Sequence, residues 1–330
     1  MANQFDVIIL GGGPAGYVAA IRSAQLGLST AVIEQEKLGG VCVNIGCIPT
    51  KALLHSAYIA NLLKESKDFG VDAGSVKTDY GVAMKRSRRV SDQNSKGVEF
   101  LMKKNKITVV KGTGTLQPGK KVKVGSDVYE ATKAVIIATG SRVKGIPQIG
   151  LDINKTTVIS SDEALFLEST PKSLAIVGAG AVGMEFADIF NAFGAKVTLI
   201  EALPRILPLE DADAAAELVK VYKKRGIDVI AGAKVTQAKV GKDKVTLDVE
   251  AGGAKQQVEA AVVLMAAGRA VNTENIGLKE TGIQLTDRGF IKVDQNLQTT
   301  APGYYAIGDV AGPRAMSPRS ARPSSASRPP

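Results

Sequence analysis

Apolar positions follow two alternating rhythms along this chain. Residues 4–10, QFDVIIL, end in an unbroken apolar run, and the glycine cluster GGGPAG follows at once. YVAAIRSAQLGL then repeats apolar residues at three- and four-residue spacing, and STAVIE returns to a continuous run. Continuous runs predict strands buried on both faces, and the longer spacing predicts a helix, here ending near Gly27. From Ser173 the order recurs as SLAIV, GAGAVG, MEFADIFNAFGA and KVTLIE. Each copy is about thirty residues, the size of a strand–helix–strand unit. In each, an acid closes the second strand 18 residues after the last glycine, Glu34 after Gly16 and Glu201 after Gly183. This is an internal repeat of a nucleotide-binding unit.

Between the copies, helical spacing runs from Cys47 to about Lys67 and again around Met84–Lys104. Alternating runs follow, ITVVKGTGTL and KVKVGSDVYEA, and then a buried strand AVIIATGS at 134–141. The second copy is trailed in the same way by VTLDVE, AAVVLMAAGR and YYAIGDVAG. The expected fold is α/β: two doubly wound, Rossmann-like dinucleotide-binding domains, each with a β-meander, the second inserted in the first. The boundaries are 1–145, 146–270 for the insertion, and 271–312 completing the first domain. PRAMSPRSARPSSASRPP, residues 313–330, has no periodicity and reads as a disordered or aberrant tail.

Composition narrows the partners. Tryptophan is absent and aromatic residues make up 5%, which argues against base-stacking surfaces and nucleic acid. No apolar run has the length of a membrane span. The opening MANQFDVIIL lacks the basic and apolar regions of a signal peptide, so a cytoplasmic location is expected. Of the net charge of +10, four arginines in 313–330 supply +4, leaving a modestly basic body.

The glycine clusters carry the first chemistry. In Gly11-x-Gly13-x-x-Gly16, the first glycine permits a tight turn, the second lets a pyrophosphate approach the backbone, and the third packs helix on sheet. The helix N-terminus attracts the phosphate, and Glu34 is placed to accept from ribose hydroxyls. Gly178, Gly180 and Gly183 with Glu201 form the second cradle. An acid at that strand end favours a 2′-hydroxyl over a 2′-phosphate, hence NAD over NADP. Two cradles imply electrons moving between two cofactors, and FAD with NAD is the natural pair.

Cys42 and Cys47 are the only cysteines and His55 is the only histidine. A zinc site usually needs four protein ligands, or three plus an open position, so two sulfurs and one histidine argue against zinc, and no metal is expected. A redox pair fits better. Cys47 opens a helix whose dipole favours thiolate, and Lys51 lies one turn on, on the same face. Gly46 and Pro49 bend the entry to that helix.

GGVCVNIGCIPTKAL, together with GGGPAG, ATGS, GAGAVGMEFA, AAGR and AIGDV in order, resembles the pyridine nucleotide-disulfide oxidoreductases over roughly residues 4–312. Within that family the dihydrolipoyl dehydrogenases are the nearest pattern. The resemblance implies that Cys42 exchanges with the substrate disulfide, while Cys47 faces the flavin. It implies that Lys51 approaches the flavin and pairs with Glu185. It gives Pro14, Gly40, Gly114, Thr139, Gly140, Ser141 and Asp309 as FAD contacts, and Val235 and Gly268 as NAD contacts. The implied reaction oxidises dihydrolipoyl groups on the lipoyl-bearing subunit of a 2-oxo acid dehydrogenase or glycine cleavage complex. Electrons pass through Cys42–Cys47 and FAD to NAD⁺.

The pattern departs from the family after AIGDVAG. The family's catalytic base, a histidine held by a glutamate, lies in a C-terminal interface domain that also makes its homodimer. This sequence is expected to lack that domain through truncation or a frameshift, with impaired turnover. His55 stands in the wrong motif to replace the base. Rival readings are a mercuric reductase-like enzyme, which adds a C-terminal cysteine pair not seen here, and a non-catalytic nucleotide-binding fragment. Glu201 weighs against glutathione reductase, and the cysteine position against small thioredoxin reductases.

Overall fold

The computed structural model describes residues 3–312. The tail expected at 313–330 lies outside the described residues. The chain runs β1 (Gln4–Leu10), α1 (Pro14–Gln25), β2 (Thr30–Glu34), α2 (Gly40–Ile45), α3 (Cys47–Lys64) and α4 (Tyr80–Lys104). β3 (Thr108–Lys111), β4 (Gly114–Gln117), β5 (Lys121–Val124), β6 (Asp127–Ile137) and β7 (Ser141–Val143) follow. Next come β8 (Val158–Ser160), α5 (Ser161–Ala164), β9 (Ser173–Val177), α6 (Ala181–Ala192), β10 (Lys196–Glu201) and α7 (Ala212–Lys224). The rest is β11 (Asp228–Ala231), β12 (Ala233–Val240), β13 (Val245–Ala251), β14 (Ala254–Ala260), β15 (Val262–Met265), β16 (Arg269–Val271) and β17 (Tyr304–Ala306).

Two units form by packing. The first takes in the chain up to Asn44, Ser91–Arg142, and the described residues from Ala270 onward. Its parallel strands stand in the order β3, β2, β1, β6, β17. The far end of β6 carries β5 and β4 antiparallel, forming the meander. The period of two along a strand sorts the core. Val7, Ile9 and Val32 face Ala20, Met102 and Ile107 on the helical side. Ile8, Leu10 and Ile33 face Leu116, Val122 and Val310 on the other. The run VIIL is unbroken because both faces of β1 are covered.

The second unit comprises Ile45–Val90 and Val143–Arg269. Its parallel sheet repeats the first order as β11, β10, β9, β15, β8. Leu174, Ile176 and Leu199 pack with Phe186 and Phe190 of α6 and with Leu53 and Ala57 of α3. Ala175, Val177 and Val263 pack under the antiparallel meander β12–β13–β14, through Val235, Leu247 and Val249.

The packing division shifts the expected boundaries by a few residues at 143–145 and at 270, and differs substantially in one segment. Residues 45–90 were expected in the first domain, yet they group with the second unit. The cause is an apolar face of α3 buried against α6, with Tyr80 stacked on Phe190 at 5.1 Å and its hydroxyl donating to the Ala164 carbonyl.

Candidate functional site

In the first unit, β1 ends at Leu10 and the chain turns at once into α1. Gly11 has φ +108°, and a Cβ there would stand 2.3 Å from the Ala138 carbonyl oxygen at the end of β6. A Cβ on Gly16 would stand 1.8 Å from the Gly11 oxygen, so the third glycine lets α1 lie on the turn. Gly13 is the N-cap and Pro14 the first helical residue. No side chain caps α1 and no acid stands in its first turn, so its leading N–H groups remain available to an anion. Glu34 holds the turn: its carboxylate accepts from Gly12 N at 2.7 Å and Glu36 N at 2.8 Å. The further lone pairs of these oxygens are what a ribose would use.

The second unit repeats this geometry. Gly178 has φ +106°, with its Cβ position 2.4 Å from the Ala266 oxygen. The Gly183 Cβ position is 1.9 Å from the Gly178 oxygen. Gly180 caps α6 without a side-chain bond, and a Cβ there would meet nothing within 4 Å. That open volume over an uncapped helix end fits a pyrophosphate. Glu201 accepts from Ala179 N at 2.6 Å and Leu203 N at 2.9 Å. By contrast α7, which follows no glycine turn, is capped by Asp211, whose carboxylate accepts from Asp213 N and Ala214 N. The cradles are the helix ends left open.

The rim of the first cradle is built by the chain's return. Thr139 donates its hydroxyl to the Asn272 carbonyl at 2.8 Å, Asn272 Nδ2 donates to the Thr139 carbonyl at 2.9 Å, and Asn272 N donates to Gly140 O at 3.0 Å. Ser141 Oγ donates to the Asp309 carboxylate, joining two predicted FAD residues. Arg142 grips Glu274 through two parallel bonds of 2.8 and 3.0 Å, and it holds the Glu274 carboxyl down at about 2.

The cysteine segment leans on the first cradle. Gly39 N donates to Gly12 O at 2.8 Å, and the Gly40 Cβ position is 2.6 Å from Gly13 Cα. Cys42 is thereby placed in α2, half-buried, two residues after the Gly40 that touches the first glycine turn. Burial first, and then the charge of nearby Cys42, push the Tyr17 phenol up from its ordinary value. Cys47 is exposed at the first position of α3, whose N-cap Gly46 offers no side chain. Such an end favours negative charge. In the second unit Lys51 Nζ pairs with Glu185 Oε1 of α6. With Lys51 59% exposed, that pair contributes little stability, so its value is positional.

Three expected residues meet different surroundings. A side chain at Gly114 would collide with Leu10, Val122 and Ile33, so its smallness serves the core. Val235 is buried between meander and sheet and offers a ligand only backbone. Gly268 has φ +108° and lies exposed beyond β15. His55 is exposed and lies against Tyr58 at 6.4 Å between centroids. Sequence reasoning missed Tyr17, Asn272 and α2 itself. The Asn272 role had no local signal, whereas Tyr17, one turn after Gly13, could have been read as facing the cysteine segment. Two surface hollows, one along Ser173, Lys196 and Gln257, the other along Thr115, Asn275 and Leu285, have no glycine-turn residue in their lining. Among the described residues, no cluster of His, Cys, Asp and Glu could hold a metal, and no helix is long and apolar enough to cross a membrane.

Two glycine turns on one repeated fold, with the Cys42 segment seated on the first, are the pattern of a flavin-type disulfide oxidoreductase. The chain belongs to the pyridine nucleotide-disulphide oxidoreductase family, whose model matches residues 5–327. It is 45% identical over 315 residues to a dihydrolipoyl dehydrogenase of Mycobacterium tuberculosis, covering 94% of this chain and 67% of that protein. It is 44% identical over 326 residues to the same-named protein of Bacillus subtilis, covering 94% and 68%. Among solved structures it is similar to the HOCl-induced flavoprotein disulfide reductase RclA of Escherichia coli. The TM-score is 0.77 at 30% identity, covering 93% of this chain and 66% of that one. The chain thus spans about two thirds of the length of these proteins. Flavoprotein disulfide reductases and dihydrolipoyl dehydrogenases use FAD and NAD(H).

Proposed function

We propose that the first unit holds FAD, that the second holds NAD(H), and that Cys42 and Cys47 form the disulfide–dithiol pair of a dihydrolipoyl-oxidising enzyme. The observation that carries this reading is the seating of the Cys42 segment on the first glycine turn, through Gly39 N to Gly12 O and the Gly40–Gly13 approach. The domain boundaries 1–145, 146–270 and 271–312 remain the functional division under this proposal.

When bound, FAD would supply two-electron chemistry between a thiol pair and nicotinamide. The protein's own residues do the rest. Gly11, Gly13, Pro14 and Gly16 present α1's N–H groups to the pyrophosphate, while Glu34 accepts from the adenosine ribose. Thr139, Gly140, Ser141 and Asp309 hold the opposite part of the cofactor, and the Ser141 bond fixes the Asp309 carboxylate. Gly178, Gly180, Gly183 and Glu201 bind NAD(H), with Glu201 rejecting a 2′-phosphate by charge. Val235 and Gly268 line the same cofactor through backbone. Lys51, paired with Glu185, has in this reading the role of supplying positive charge to the bound flavin. Starting from the Cys42–Cys47 disulfide, one thiolate of the dithiol substrate attacks the Cys42 sulfur and Cys47 leaves as a thiolate at α3's N-terminus; the second substrate thiolate then closes the substrate disulfide and releases Cys42 as thiolate.

The partner of this reading is a lipoyl-bearing subunit of a 2-oxo acid dehydrogenase or glycine cleavage complex, in the cytoplasm. Reconstitution with FAD tests it. Yellow protein whose flavin band bleaches on anaerobic NADH addition, and does so far less with NADPH, is the expected result. Protein that takes up no FAD overturns the reading.

A further inference from the structure

The cysteine segment is held from behind by a ladder of buried hydroxyls on α4. Ser87, Ser91 and Ser95 stand at four-residue spacing, one above another on one face, and their exposures are 0%, 2% and 7%. Ser87 bonds back to its own helix, donating to the Met84 carbonyl at 2.8 Å. The next two reach outward. Ser91 Oγ donates to the Val43 carbonyl at 2.7 Å and approaches the Asn44 carbonyl at 3.3 Å. Ser95 Oγ donates to the Leu38 carbonyl at 3.2 Å. Asn44 Nδ2 donates to the same Leu38 carbonyl and to Gly40 O, both at 3.0 Å.

α2 is too short to satisfy its own ends. In a helix of six residues, Gly40–Ile45, most backbone groups belong to one end or the other and draw on partners outside the regular helix ladder. Ser91 supplies such a partner for the residue directly after Cys42. Ser91 gives the Val43 carbonyl a buried donor, and Ser95 shares the Leu38 carbonyl with Asn44 Nδ2. Together they fasten α2 at both ends, Leu38 before Cys42 and Val43–Asn44 after it, while Gly39 and Gly40 fasten its front to the glycine turn.

We propose that Ser91, supported by Ser95, is a positioning residue for Cys42: it fixes the α2 backbone and so sets the exposure and reactivity of that sulfur. The inference rests on the assignment of Cys42 as the exchanging thiol for its meaning, but not for its test. Ser91 acts through the Val43 carbonyl and touches no reacting atom.

The test is the iodoacetamide alkylation rate of Cys42 across pH, in the reduced full chain, followed by peptide mass spectrometry. Ser91→Ala is compared with Ser87→Ala, which removes an equally buried hydroxyl of the same helix that does not reach the cysteine segment. The expected result is Cys42 alkylation faster by roughly three- to tenfold in Ser91→Ala, the loss of one backbone-directed hydrogen bond, with Ser87→Ala at the wild-type rate. Ser91→Thr, which restores a hydroxyl, should return the rate toward wild type. An unchanged Cys42 rate in Ser91→Ala overturns the proposal, as does an equal acceleration in Ser87→Ala, which would mark general loosening of α4. Should Ser91→Ala not fold, Ser95→Ala carries the same comparison with a smaller acceleration expected, and no acceleration there overturns it. The readout needs no cofactor, so failure of FAD binding would count against the proposed function and leave this result separate.

Discussion

Gly180 and Gly183 separate two roles that one motif combines. A methyl at Gly180 meets nothing within 4 Å, and the residue has φ −74°, open to any side chain. Gly180→Ala should therefore keep its melting temperature within a few degrees, yet weaken NADH binding by about tenfold or more, measured by fluorescence titration. Gly183→Ala forces a methyl to 1.9 Å from the Gly178 oxygen. It should lose about 1–3 kcal/mol or more in urea unfolding, since overpacking moves backbone. At Glu185, the neutral Glu185→Gln should slow flavin bleaching by NADH on the order of tenfold with little change in melting, because Lys51 loses its charged partner at a mostly exposed site. Residues whose role follows from backbone geometry were legible in the sequence: the glycines and the strand-end acids sit where local rules put them. Gly114 and Val235 were named for ligand contact; their side-chain positions are taken up by packing, which leaves only backbone for such a contact. Asn272, and the donors to α2's carbonyls, were invisible because they bond to main chain far away in sequence, where no residue pattern records them.

Continuous apolar runs gave away the parallel strands, and the glycine turns gave away α1 and α6. α2 was not legible, because six residues opening on two glycines read as loop, and its support comes from α4. The grouping of 45–90 was missed for a similar reason: the helical period of α3 shows that a face is apolar, not that α6 is what covers it. At this scale the return segment after β16 is clamped to the rim by Arg142 and Glu274. Hydrogen bonding from Arg142 lowers the Glu274 carboxyl to about 2. A carboxyl lowered in the folded state contributes stability above its unfolded value near 4.5, and that contribution fades as pH falls toward 2. Carboxyl NMR should place the Glu274 midpoint at about 2 in the native chain. It should return to the ordinary range in Arg142→Ala, and an unchanged midpoint there would remove the clamp from the account.

As a whole, the molecule is one fold used twice, each sheet presenting its glycine turn at the strand ends where neighbouring connections part to opposite sides, β1 beside β6 and β9 beside β15. Duplication explains why so much was legible: the second copy confirms the meaning of the first without any outside comparison. The cysteine pair breaks the symmetry, since in the sequence it follows only the first glycine turn, and the proposed function therefore assigns FAD to the first cradle. The most direct measurement counts thiols. FAD-loaded, oxidised protein is treated anaerobically with one equivalent of NADH, quenched with an alkylating reagent, and mapped by mass spectrometry. The account predicts that Cys42 and Cys47 both become alkylated, at the expense of NADH and only when FAD is present. Labelling that does not change with NADH, in protein that is fully flavin-loaded, would contradict it.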